Sequence, residues 1–140
     1  MILDPEQVML ELQRATHAML RVLAARLADE NLPPSEINVL ANLADGQFRS
    51  VGELAADAGV KPTTLTSILD RLGQRGYLAR ELDLGDRRSF VVHLTPEGAK
   101  AAQRASAAMA DIVSEATGSL TEADVAGFRK VVRALTEAAR

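Results

Sequence analysis

The stretch "VGELAADAGVKPTTLTSILDRLGQRGYL", Val51 to Leu78, decides the fold. Leu54, Ala55 and Ala58 make a short apolar stripe behind Ser50, which stands at an N-cap position with Glu53 where a capping box wants it. Gly59 supplies a sharp turn. Beyond it, Leu65, Ile68, Leu69 and Leu72 recur at i, i+3, i+4 and i+7, one inward face of a helix with Pro62 near its start and Gly76 past its end. Two short helices joined by a tight glycine turn predict a helix-turn-helix.

Working outward toward the C-terminus, the period changes from helical to two. "YLARELDLGDRRSFVVHL" alternates around a turn containing Gly85-Asp86, with Leu78, Arg80 and Leu82 on one arm and Phe90, Val92 and Leu94 on the other. That pattern predicts a β-hairpin, or wing. Phe48 and Phe90 are expected to pack it onto the domain. Thr95 and Pro96 restart helix with Glu97 in the first turn, and Ala102, Ala105, Met109, Ile112 and Ala116 follow at alternating steps of three and four. After Gly118, Thr121 caps a last helix whose apolar positions are Val125, Phe128, Val132, Leu135 and Ala139.

Toward the N-terminus, Asp4, Pro5 and Gln7 form the start signal of a helix reaching about Asp29, with a capping box between Asp4 and Gln7. Val8, Leu12, Ala15, Met19 and Val22 make one apolar row, and Leu20, Leu23 and Leu27 a neighbouring one. So wide a face suggests burial on two sides. "NLPPSE" breaks the helix, and Ser35 opens a second one through about Asp45, with Ile37, Leu40 and Leu43 inward.

The expected fold is mainly α with a small β-wing: a winged helix-turn-helix region at 34–95 within one unit of 140 residues. Residues 1–30 and 96–140 are read as dimerisation helices. The roughly 20-residue helix after the wing spans about 30 Å, the diameter of a small domain, so the terminal helices are expected to interlock with a second copy.

Composition is 47% apolar and 25% charged, near the globular average, which points away from disorder or a fibre. The chain has no cysteine, which removes disulfides, thiolate metal sites and thiol redox sensing. His17 and His93 alone do not make a convincing metal site, and Met9, Met19 and Met109 read as core, so no metal or cofactor is expected. No segment approaches the ~18 uninterrupted apolar residues of a membrane helix, and the N-terminus lacks a basic start followed by an apolar run. The expectation is a cytoplasmic protein with no membrane partner.

Net charge is −3, yet its distribution is uneven. Between Lys61 and His93 stand Lys61, Arg71, Arg75, Arg80, Arg87 and Arg88 against Asp70, Glu81, Asp83 and Asp86. A basic segment on an acidic body is compatible with nucleic acid, because attraction acts within a Debye length of about 10 Å. Thr63, Thr64, Thr66 and Ser67 lie off the apolar stripe and give the second helix of the motif short hydrogen-bonding side chains, suited to a major groove.

The order of elements resembles the MarR family of winged helix-turn-helix transcription regulators, over essentially the whole chain. The wing carries the most specific likeness. Asp86-x-Arg88, followed by five residues and then Leu94-Thr95-Pro96-Glu97-Gly98, resembles the family's Asp-x-Arg leading to Leu-Thr, while "VGELA" and "LDRLGQRGYL" look like its helix-turn-helix and helix exit. The resemblance implies a homodimer on a pseudo-palindromic duplex, acting as a repressor that a small anionic or aromatic ligand relieves. It assigns base edges to Thr63, Thr64 and Ser67, phosphate to Lys61 and the helix N-terminus, and a sugar or thymine methyl to Pro62. Many relatives carry a basic residue where Ser67 stands. Arg88 corresponds to the arginine that enters the minor groove, with Asp86 holding it extended and Arg87 on phosphate. Asp70 supports the wing by pairing with Arg80 or Arg88. Arg71 and Arg75 either reach phosphates or form surface pairs. Arg14, His17 and Arg21 share a polar strip of the first helix, which either faces a ligand cleft or is simply solvated.

An enzyme needs a convergent polar site, and the sequence has no Gly-x-Ser-x-Gly, no His-Glu-x-x-His and no phosphate-binding glycine loop. Asp83 and Asp86 sit beside arginines that compensate their charge rather than leaving them poised for acid-base work. The rival to a DNA-reading regulator is a winged-helix protein-interaction module that has lost DNA binding.

Overall fold

The computed structural model describes residues 4–85 and 89–140. Asp86, Arg87 and Arg88 therefore lie outside the described residues. The chain divides into two compact units, one ending at Met109 and one running Ala110–Arg140. The elements are α1 (Pro5–Arg26), a 3-10 turn (Ala28–Glu30), α2 (Pro34–Asn42), β1 (Arg49–Ser50), α3 (Val51–Ala58), α4 (Pro62–Gln74), β2 (Leu78–Leu82), β3 (Phe90–Leu94), α5 (Pro96–Thr117) and α6 (Glu122–Ala138). This is the winged helix expected from the sequence.

Helix starts follow from their caps. The Asp4 carboxylate accepts from the backbone N–H groups of Glu6 and Gln7, but the Gln7 amide donates to Glu11 instead of returning to Asp4. The expected capping box at α1 is thus a one-way cap. Ser50 Oγ accepts from Glu53 N at 3.1 Å, as its position implied. At α6 the box is complete, with Thr121 accepting from Asp124 N and Asp124 accepting from Thr121 N. α2 begins at Pro34 rather than Ser35, because a proline is preorganised for the first helical position, and it ends at Asn42, short of Asp45.

In the first unit the core draws one face from each helix: Leu23 of α1, Ile37, Val39 and Leu40 of α2, Leu54 and Ala55 of α3, and Leu65, Ile68, Leu69 and Leu72 of α4. Val92 of β3 and the small side chains Ala101, Ala102 and Ala105 of α5 complete it. Gly59 closes α3 at φ +69°, a left-handed conformation that only glycine adopts without strain, and so makes the turn between α3 and α4.

The sheet is antiparallel in the order β1-β3-β2. Leu78 faces Leu94, Arg80 faces Val92 and Leu82 faces Phe90, so the two alternating rows share one face. β1 has only two residues, too few to show a period, and was invisible in the sequence. Phe48 does not enter the core. It stacks on His93 with ring centroids 4.1 Å apart and planes within 6°, while Phe90 remains largely exposed.

The wing joins α5 through a clasp at its base. Thr95 N donates to Tyr77 O, Thr95 Oγ1 donates to Gly76 O at 2.6 Å, and Gly98 N donates to Thr95 Oγ1. Gly98 must be glycine, because a Cβ there would press into the Tyr77 carbonyl well inside van der Waals contact. The Leu-Thr-Pro-Glu-Gly run is thus a structural joint between the end of α4 and the start of α5.

Candidate nucleic-acid interface

α4 presents two unlike faces. Leu65, Ile68, Leu69 and Leu72 are buried, whereas Lys61, Pro62, Thr63, Thr64, Thr66 and Ser67 are exposed. Thr66 turns its hydroxyl back onto Pro62 O at 3.0 Å, which leaves Thr63, Thr64 and Ser67 as the outward hydroxyls.

The start of α4 differs from those of its neighbours. α1, α3 and α6 each carry a side-chain cap and an acidic residue in the first turn. At α4 the N-cap is Lys61, no side chain caps the helix, and the first turn has no acidic residue. Orphan N–H groups and the positive end of the helix dipole therefore face solvent beside a lysine, a setting suited to phosphate oxygen.

The wing is tied to this helix. Arg80 of β2, one of the two partners the sequence allowed for Asp70, donates to it on α4 at 2.6 Å, while the other, Arg88, lies outside the described residues. On the other strand, His93 Nε2 lies 3.2 Å from Glu81 Oε1. The minor-groove assignments to Arg87 and Arg88, and the support by Asp86, concern residues outside those described.

The other basic residues separate. Arg75, at the C-cap of α4, donates through Nε to Glu36 at 3.2 Å and through its two terminal nitrogens to Glu30 O and Asn31 O. Of the two readings of Arg75, the pairing one holds. Arg71 lies 3.7 Å from the same carboxylate but keeps half of its side chain exposed. Glu36 is the residue sequence reasoning missed: it is 1% exposed, a charge within the core. A signal existed, since Glu36 stands four residues before Leu40 and seven before Leu43, inside the apolar stripe of α2.

Arg14, His17 and Arg21 are exposed on α1. Among the described residues no cluster of three or more His, Asp or Glu is placed to hold a metal ion, and no helix is long and apolar enough to cross a membrane.

A sequence profile of the MarR family matches residues 30–89, which take in α2, α3, α4 and β2. By this match and its winged-helix fold, the chain is similar to the MarR family of regulators. Proteins of that family are DNA-binding transcription regulators, a non-enzymatic class. It is 27% identical over 138 residues to the transcriptional repressor MdtR of Bacillus subtilis strain 168, spanning 96% of this chain and 89% of MdtR. Apo MarR from E. coli superposes with a TM-score of 0.75 at 22% identity, over 96% of this chain and 98% of that one, a likeness of fold. BpsR of Bordetella bronchiseptica superposes with a TM-score of 0.75 at 25% identity, over 93% and 98% of the two chains, and its DNA binding is regulated by 6-hydroxynicotinic acid.

Proposed function

We propose that this protein is a cytoplasmic homodimeric MarR-type repressor of a pseudo-palindromic operator. α4 lies in the major groove and the wing in the minor groove. Thr63, Thr64 and Ser67 meet base edges, Pro62 a sugar or thymine methyl, and Lys61 and the first-turn N–H groups a phosphate, with Arg71 and Arg87 on further phosphates and Arg88 in the minor groove. The observation that carries this reading is the start of α4: exposed hydroxyls beside a helix N-terminus with neither cap nor acidic neighbour.

Support for a second copy comes from unpartnered apolar surface. α6 buries no residue, yet Val125, Phe128 and Val131 lie along it with 43%, 57% and 50% of their surface exposed. On α1, Val8, Met9 and Leu10 are also exposed. An amphipathic helix with no covered face is unstable alone, and a two-fold partner covers it. Two copies then present their α4 helices to half-sites about 34–36 Å apart.

Release by a small anionic or aromatic ligand, with Arg14, His17 and Arg21 as candidate contacts, is supported by the ligand regulation of BpsR. The test is a fluorescence-polarisation titration against the protein's own upstream promoter and a scrambled duplex at two salt concentrations. Tight, salt-sensitive preference for the promoter is expected. A folded dimer that binds neither duplex at low salt would instead favour the protein-interaction module.

A further inference from the structure

Among the described residues, the one charge in the first unit's core sits where four elements meet. Glu36, in the first turn of α2, holds the Arg75 guanidinium through Oε1 and lies near Arg71 through Oε2. Arg75 also binds the carbonyls of Glu30 and Asn31, the latter at 2.6 Å, in the turn after α1. Asn31 has φ +52°, a left-handed turn that aims its carbonyl at the guanidinium. Glu30 in turn pairs its own carboxylate with Arg104 of α5. Arg75 is thus gripped by three acceptors from two elements, and the grip continues into α5.

From this geometry we infer that Glu36 and Arg75 form a latch that sets the angle of α4, making both positioning residues for DNA reading. The inference rests on the proposal that α4 reads the duplex. The latch closes the C-terminal end of the helix, whereas the reading hydroxyls lie at its N-terminal end. Thr63 and Arg75 are about 18 Å apart along the axis. A rotation of about 5° at the latch displaces Thr63 by about 1.6 Å, several times the ~0.5 Å window over which a hydrogen bond holds. Contacts to phosphates by flexible cations tolerate such a shift. Fixed short hydroxyls on base edges do not. The latch therefore governs discrimination between sequences rather than general affinity for DNA.

Its placement also explains why a charge is kept where apolar packing would be cheaper. A guanidinium fork offers several donors in a fixed plane, so three acceptors at once define an orientation that a greasy contact leaves loose. Lysine, a point charge on a flexible stem, has no rigid planar fork with which to fix that orientation.

The test uses a duplex selected by the wild-type protein from a randomised pool, beside a scrambled duplex. Two variants are compared with wild type: Arg75→Lys, which keeps the charge and loses the fork, and the double replacement Glu36→Leu with Arg75→Met. Glu36 is buried and Arg75 partly so, and replacing such an ion pair with apolar groups of similar size is often neutral or stabilising, so the double variant is expected to stay folded and melt near the wild-type temperature. In both variants the selected-to-scrambled affinity ratio is expected to fall about tenfold, the range of one lost base-edge contact. Affinity for the scrambled duplex and the salt slope are expected to stay unchanged. A folded variant with the wild-type ratio would overturn the latch. A salt slope reduced by about one on both duplexes in the double variant would also overturn it, because Arg75 would then be touching phosphate. A wild-type protein that selects no duplex would remove the proposed function itself, and the latch with it.

Discussion

Arg80 of β2 donates to Asp70 of α4 across 2.6 Å, so the strand that begins the wing is fastened to the helix that carries the exposed hydroxyls. Both side chains are about half exposed. Such a pair contributes no more than about 1 kcal/mol to stability, and its value lies in orientation. Asp70→Ala is expected to leave the melting temperature nearly unchanged and to weaken duplex binding by about 0.5–1 kcal/mol. Comparing thermal melts with polarisation titrations at one salt concentration checks both halves.

Arg88→Ala is expected to cost about 1–3 kcal/mol of duplex affinity with the dimer intact. The loss should be greatest on A·T-rich flanks, where a narrow minor groove concentrates negative potential. Equal affinity for wild type and variant at matched salt would remove the wing from the interface.

Gly98→Ala is expected to destabilise the first unit by about 1–3 kcal/mol, since the atom in the way is a backbone carbonyl that cannot swing aside. Chemical denaturation reads this directly. A wild-type midpoint would mean that the clasp between Tyr77 and α5 can open without cost.

Phe128→Asp is expected to give a monomer or an insoluble product, because it sets a charge in the middle of the apolar row of α6. Sedimentation velocity distinguishes a monomer from a dimer. An undisturbed dimer would place the interface away from α6.

Acid sensitivity is expected at the start of α6. The backbone N–H of Thr121, followed by its hydroxyl, holds the Asp124 carboxyl below its ordinary value of 3.8. The folded state thus favours the ionised form, and the stabilisation is fully present above pH 3.8 and lost as pH falls through the depressed value. Asp124→Asn is expected to flatten the pH dependence of α6 melting in that acidic window and to leave it unchanged near neutrality. Circular dichroism melts across that range test the sign.

Much of this protein is written locally. The four leucine and isoleucine positions of α4 repeat with the helical period, and the alternation from Leu78 to Leu82 and from Phe90 to Leu94 repeats with that of a strand. Ser50, Gly59 and Thr121 mark boundaries because capping and left-handed turns involve only neighbouring backbone. These signals survive without knowledge of the rest of the chain.

What the chain alone determined is therefore the order of its helices and hairpin strands, the polar face of Thr63, Thr64 and Ser67 on α4, and its winged-helix class, all properties of spacing along a few turns. Tertiary structure decided the pairings that join distant segments: Arg75 with Glu36, 39 residues away, Arg104 with Glu30, 74 residues away, and the two-residue strand β1 on β3. It also brought Arg80 to Asp70, ten residues apart in sequence and on different elements. A salt bridge leaves no period behind it, since any arginine can meet any carboxylate that the fold brings within reach. The fold must exist before the pair can be named.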